Sequence, residues 1–423
     1  MAAAAIKPLA KFMAFAPPLM GEEEINELAD TLRSGWLTTG PKTERFEIVL
    51  SEYLSSGRGV AVSSCTAALH LGLQVLGVSP GQGVITTPLT FASTGHVIMY
   101  QGARPYFTDI DPQTGNISPD QVRRFLEREC RREADGQIRH RESGDLITTI
   151  LPVHYGGHPV ELAPLWELAV EYGLNMLEDA AHAIGATYNG LMIGDRSLKP
   201  GTADHLQNIT AFSFYATKNL ATGEGGYLTA SDDKTAERAR VLSMYGISDS
   251  RKIWGRYAPK GTWVYDVADL GFKYNMMDIQ ACLGLHQLLK LPDFIKRRAR
   301  HAETYNRAFK EIEDLVIAPT VRPEAGPAWH LYPLRLRPEA LNISRDEFIQ
   351  TLRDHNIGSS VLFIPLHYHS YYRRALNYKE GSFPEAEIFF HNLVNLPVAP
   401  AHSDEDVFEA AQVMVEILSR HKK

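Results

Sequence analysis

Apolar and polar positions follow two textures along the chain. From about residue 44 to about residue 290, short β-rich apolar runs alternate with stretches of helical spacing. The runs predict strands at Gly59–Val62, Gly83–Thr86, Arg104–Phe107, Ile147–Val153, Asn175–Glu178, Thr210–Phe214 and Gly226–Thr229. Between them Leu69, Leu73 and Leu76 recur at four and three residues, as do Leu162, Leu165 and Ala169 before Tyr172. Each such stretch should have one buried face, and the alternation points to βαβ units on a mostly parallel sheet with helices on both faces. From about residue 294 the texture changes. A helix over Phe294–Ile312 leads to a strand over His330–Leu336, Ser344-Arg345-Asp346-Glu347 opens a helix as a capping box, and Ser403-Asp404-Glu405-Asp406 starts the last helix in the same way. The fold class expected is α/β, with a large domain over residues 1–290 and a small α+β domain over 291–423; residues 1–40 are expected to pack on the small domain or on a partner. The run Arg123–Glu142 is dense in both charge signs and reads as a solvated helix or excursion.

Composition narrows the classes. The chain has 423 residues, 44% of them hydrophobic and 22% charged, enough core for two domains. A net charge of −7 gives no footprint for nucleic acid, so any phosphate handled should be on a small molecule. No stretch of about 18 apolar residues could span a bilayer, and the Ala-rich start lacks the basic opening and apolar core of a secretory signal. Three scattered cysteines, Cys65, Cys130 and Cys282, do not make a disulfide framework. The compartment expected is the cytoplasm.

The chemistry concentrates in three places. Lys218 follows the apolar run Ala211-Phe212-Ser213-Phe214-Tyr215, and Asp179 ends an earlier apolar run just before Ala180-Ala181-His182. A pyridoxal phosphate (PLP) enzyme needs this pair: the lysine to make the Schiff base, the carboxylate to keep the pyridine nitrogen protonated. Third, Val60-Ala61-Val62-Ser63-Ser64-Cys65-Thr66 ends a strand in small, mostly hydroxylic residues with a helix following at once, an arrangement suited to a phosphate. Seen alone, Ser64 and Thr66 would more simply cap that helix. In the same way Asp179 could cap the helix after it, Phe91 could be core, and Asn275 could be a turn residue before a helix over Met276–Gln287.

In their order, these motifs resemble the DegT/DnrJ/EryC1/StrS family of PLP-dependent nucleotide-sugar aminotransferases. The likeness begins at Ser34-Gly35-Trp36-Leu37-Thr38-Thr39-Gly40-Pro41 and continues through Ser64–Thr66, Pro88–Thr94, Glu178–Ala183, Ser213–Asn219, Gly223–Gly226 and Tyr274–Ala281 to Pro365-Leu366-His367 and Leu396-Pro397. The resemblance implies a fold-type I transferase working as a homodimer with shared active sites, on a nucleotide-linked keto-sugar and glutamate. It assigns the Schiff base to Lys218, the pyridinium to Asp179, and the phosphate to Ser213 and the amides and hydroxyls of Ser64, Cys65 and Thr66. It further implies that Phe91 stacks on the ring, that His182 approaches the ring hydroxyl, and that Asn275 reaches the cofactor phosphate of the neighbouring subunit.

Other readings compete. PLP-dependent sugar dehydratases of the same scaffold resemble this family with histidine at the Schiff-base position, and the lysine argues against them. An aromatic-forming synthase keeps the lysine. A non-catalytic PLP-binding sensor would keep its colour on adding glutamate. His154…His158 and His367…His369 suggest a metal hydrolase, but the glycines between the first pair oppose a helix there, and no metal is expected. Trp254, Arg256, Tyr257 and Lys260, with His330, Arg337 and the His367–Tyr372 segment, are candidates for substrate contacts. The nucleotide, the sugar and the carbon aminated are not legible in these residues.

Overall fold

The computed structural model describes residues 6–248 and 265–423. In chain order its helices are α1 (Glu22–Ser34), α2 (Pro41–Leu54), α3 (Cys65–Val75), α4 (Ala92–Tyr100), α5 (Pro119–Arg128), α6 (Leu162–Tyr172), α7 (Asp233–Ser243), α8 (Asp278–Lys310), α9 (Arg345–Asp354), α10 (Ser370–Leu376), α11 (Pro384–Asn392) and α12 (Asp404–Arg420). The strands are β1 (Gly59–Val62), β2 (Gln82–Thr86), β3 (Arg104–Phe107), β4 (Cys130–Arg132), β5 (Ile138–His140), β6 (Leu146–Ile150), β7 (Asn175–Asp179), β8 (Thr187–Tyr188), β9 (Leu191–Met192), β10 (Asn208–Ser213), β11 (Gly226–Ala230), β12 (Val316–Ile317), β13 (Ala325–Gly326), β14 (Tyr332–Leu336) and β15 (Leu393–Leu396). All seven strands predicted before residue 290 form, with ends shifted by up to three residues.

The central sheet runs in the order β1-β11-β10-β7-β6-β2-β3. β10, β7, β6, β2 and β3 are mutually parallel, whereas β11 is antiparallel to both β1 and β10. β1 therefore points the same way as the parallel set. Strand periodicity divides the core in two. Ala61, Ile85, Met176, Phe212 and Tyr227 face a cluster with residues of α2, α5, α6 and α8. Their neighbours Val60, Val62, Val84, Leu177, Ile209, Ala211 and Leu228 face a second cluster with residues of α3, α4 and α7. Helices thus cover both faces.

The charged run, expected to be a solvated helix or excursion, is a helix only in its first part, α5. Beyond it Cys130–Arg132 pairs with Ile138–His140 as a hairpin that meets the sheet at Leu146, the start of β6. The two helices expected around Pro292 are one, α8, 33 residues long and packed against α1, α2 and α12. Residue 290 lies inside it. The C-terminal core gathers around β12, β14 and β15, and Leu9 and Met13 are buried in it beside Tyr305, Phe348 and Ile357. A small third sheet joins β13, β8 and β9. No described helix is long and apolar enough to cross a membrane.

Candidate active site

Parity along β7 decides where its two carboxylates go. Glu178 shares a face with Met176, and its Oε2 lies 3.0 Å from His154 Nε2 while Thr210 Oγ1 donates to Oε1 at 3.3 Å. Val160 N–H donates to His154 Nδ1 at 3.1 Å, so the ring proton sits on Nε2 and is given to Glu178. Asp179, one residue on, turns to the face of α3 and α4. Thr94 Oγ1 donates to its Oδ2 at 2.8 Å and Ala181 N–H to its Oδ1 at 3.1 Å. It is paired in register with Ala211 on parallel β10. Both strands end here, with buried Ser213 closing β10 and Lys218 on the turn beyond it. In an open parallel sheet this carboxyl edge is where ligands bind.

The third strand pointing to the same edge, β1, delivers the phosphate candidate. Ser64 caps α3, its Oγ accepting from Ala67 N–H at 3.1 Å, so the capping role is filled. The Cys65 and Thr66 amides ahead of Ala67 have no acceptor within the helix and remain available to an anion. Cys65 is buried at the first helical position, its thiol 3.6 Å from Ala211 O, and Thr66 is half-buried. The turn sits directly on β11: a Cβ on Gly226 would come within 2.6 Å of Ser64 and Cys65 backbone atoms. The glycine of the Gly223–Gly226 motif is thus required by close approach.

Burial sets the protonation states. Desolvation pulls the Lys218 amine down from its ordinary 10.5 to about 8, outweighing the Cys65 and Asp179 charges that pull it up. The residue as a whole is half-buried. Burial pushes the Asp179 carboxyl up, opposed by the Thr94 and Ala181 hydrogen bonds and the Lys218 charge. Desolvation also drives the Cys65 thiol well up and holds His182 well below its ordinary value, with Lys218 adding to the latter. Gly156, at φ 64, donates its N–H to His182 Nδ1 at 3.2 Å, which leaves the proton on Nε2.

Around this centre lie further aromatic and polar side chains. The His330 ring is 4.3 Å from that of His182, and its Nδ1 is 3.3 Å from Asn219 Oδ1, next to the lysine. Phe363 stacks on His182 at 5.6 Å and meets Phe91 at 5.8 Å. Phe363 carried no sequence signal; Thr94 lay inside a recognised motif without a role. Phe91 is 61% exposed at the start of α4, so it is not core. Asn275 lies against the end of β1 in its own chain: its backbone bridges Val62, its Nδ2 donates to Thr39 Oγ1 at 2.5 Å, and Lys273 Nζ donates to its Oδ1 at 2.5 Å. His367 is buried against Glu387 at 2.9 Å, and Arg337 donates to Glu313 O at 3.2 Å. Trp254, Arg256, Tyr257 and Lys260 lie outside the described residues. Among the described residues no group of three or more His, Cys, Asp or Glu could hold a metal; His158 Nδ1 lies 2.8 Å from Pro159 O and 3.4 Å from Asn116 Nδ2.

A sequence model described as the DegT/DnrJ/EryC1/StrS aminotransferase family matches residues 18–415. The chain belongs to that family. It is 42% identical over 408 residues to the spore coat polysaccharide biosynthesis protein SpsC of Bacillus subtilis (strain 168), covering 96% of this chain and 97% of SpsC. Among solved structures it resembles the putative sugar aminotransferase Spr1654 from Streptococcus pneumoniae in its PLP form, with a TM-score of 0.81, 29% identity, and coverage of 97% of this chain and 99% of that one. The aminotransferase TlmJ from Streptoalloteichus hindustanus gives a TM-score of 0.81 at 29% identity, with 97% and 99% covered. These aminotransferases share the fold of the whole chain, and this protein is an aminotransferase of the same fold type.

Proposed function

We propose that this family member transfers an amino group from glutamate to a keto-sugar carried on a nucleoside diphosphate, with PLP as cofactor, in the making of amino sugars for a cell-surface polysaccharide or a secondary metabolite. The observation that carries the reading is Lys218, an amine lowered to about 8 beside a buried carboxylate and a helix N-terminus at one sheet edge. The residues fit the cofactor: an anion site at α3, an acceptor for a ring N–H at Asp179, a donor for a ring hydroxyl at His182 Nε2, and an amine. When bound, PLP supplies an electron-withdrawing ring that takes up the charge left at a substrate carbon losing its proton.

Each role is then a task for a named atom. Lys218 Nζ would hold the cofactor covalently and, when not so engaged, would take the proton from Cα of the donor; in the cofactor-free protein a pKa of about 8 already leaves about a tenth of the amine neutral at pH 7. The Asp179 carboxylate accepts the pyridine N–H, and its two existing donors still leave each oxygen a lone pair. His182 donates from Nε2 to the ring oxygen. Ser213, Ser64, Thr66 and the Cys65 amide hold the phosphate, and Phe91 covers one ring face. Asn275, held by Thr39 and Lys273, is assigned to the phosphate of the neighbouring subunit in a homodimer. Sugar substrates are supported by the names of SpsC and Spr1654, and lysine at position 218 speaks against the dehydratase reading.

The test is a panel of UDP-, dTDP- and GDP-linked keto-sugars incubated with glutamate, with 2-oxoglutarate and amino-sugar followed by mass spectrometry. Transfer to one of them, lost in Lys218→Ala, is the result expected. Consumption of a sugar without nitrogen uptake would overturn the reading in favour of dehydration or aromatisation, and cofactor colour indifferent to glutamate would favour a sensor.

A further inference from the structure

The first turn of α4 reaches the site twice. Phe91 precedes it with an exposed ring, and Thr94, three residues on, is fully buried with its hydroxyl 2.8 Å from Asp179 Oδ2. Thr90 Oγ1 lies 2.8 Å from Thr94 Oγ1, and it too is buried. A hydroxyl has one proton to give. If Thr94 gives it to the carboxylate, its oxygen accepts from Thr90, and the chain runs in one direction, Thr90 to Thr94 to Asp179. We propose that Thr94, oriented by Thr90, is a positioning residue for the cofactor: it fixes the rotation of the Asp179 carboxylate and the lone pair left to receive the pyridine N–H.

This rests on the reading of Asp179 as the pyridine partner. The geometry adds a reason for a hydroxyl at this place. Without one, Oδ2 would be a desolvated oxygen lacking a donor, and the carboxylate could turn about its last bond until another group met it. With it, Oδ1 is held by Ala181 N–H and Oδ2 by Thr94, from opposite ends. The raised tendency of buried Asp179 to hold a proton is opposed first by the Thr94 hydrogen bond, which agrees with the geometric argument. One helical turn would then bear on both the face and the nitrogen of the cofactor ring.

The test compares wild-type protein with Thr94→Val, Thr94→Ser and Thr90→Val, each stripped of cofactor and titrated with PLP by absorbance. Thr94→Val keeps shape and loses the donor. It should weaken PLP binding between about ten- and a hundredfold, the range for one hydrogen bond to a charged group, and shift the balance of the visible absorption bands. Thr94→Ser should restore both, and Thr90→Val should show a smaller shift the same way. Unchanged affinity and bands in Thr94→Val would overturn the proposal. So would an equal loss in Thr94→Ser, or a loss that follows the melting temperature of the cofactor-free protein, since either would mean packing alone. If the wild-type protein takes up no PLP, the proposed function falls and this inference with it.

Discussion

Replacing Lys218 by methionine should stabilise the cofactor-free protein at neutral pH. The wild-type amine is held at about 8 against 10.5 in its ordinary state, and at about 1.4 kcal/mol per pH unit this is a cost near 3 kcal/mol when the group is charged. Between pH 8 and 10.5 the unfolded chain holds a proton the folded one has released, so this group makes stability rise with pH across that window. Below 8 the whole cost stands, and above 10.5 it is gone. Methionine fills similar space without the charge and removes the cost, which is already net of the Asp179 attraction, and the imperfect fit of the new side chain takes part of the gain back. The expected gain at pH 7 is therefore about 1 to 3 kcal/mol. Urea unfolding of both proteins at equal concentration, followed by tryptophan fluorescence at pH 7 and near pH 10, measures it. A variant less stable at pH 7, or a difference of the same size at both pH values, would refute the reasoning. The chemical counterpart is a neutral fraction at pH 7 about 300-fold larger than that of an ordinary lysine.

Phe91→Ala should change folding stability by less than about 1 kcal/mol, because the ring is largely exposed, yet weaken PLP binding; melting of the cofactor-free protein and a PLP titration separate the two. Asp278→Ala should cost about 2 to 4 kcal/mol in urea unfolding. The buried carboxylate accepts from Gly40, Lys42 and Thr43 amides at 2.8, 3.1 and 2.9 Å and from Thr43 Oγ1 at 2.6 Å, and capping α2 from α8 depends on it. Glu178→Ala should cost 3 kcal/mol or more by leaving buried His154 and Thr210 without their acceptor, while Glu178→Gln, which can still accept from His154, should cost less by the same measurement.

The sequence and the structure agree most where the signal is local. Each predicted strand needed only a short apolar run, and Asp179 and Lys218 could be seen at strand ends because those runs stop beside them. Side-chain parity then sends Glu178 and Asp179 to opposite faces, which explains why only one of two adjacent carboxylates faces Thr94. What depends on distant pairing was hidden. Thr38–Pro41 and Tyr274–Ala281 are separate motifs in the chain, and only the fold shows that Asp278 of the second caps the helix opened by the first. The β4–β5 hairpin was masked by charge at its outward positions, although Asp135-Gly136, with Gly136 at φ 85, is a turn signal of the right kind. Pro292 reads as a helix break, but it removes one donor from a helix braced by α1, α2 and α12, and packing carries α8 through it. The apolar run puts His330 on a strand, whereas β14 begins two residues later and the His330 ring lies against His182.

Whether Lys218 carries the cofactor is decided by adding PLP to the purified protein, reducing with borohydride and mapping the modified peptide by mass spectrometry. Cofactor fixed to Lys218, and absent when glutamate is added before reduction, is the result predicted. Cofactor fixed to another lysine, or none fixed at all, would contradict it.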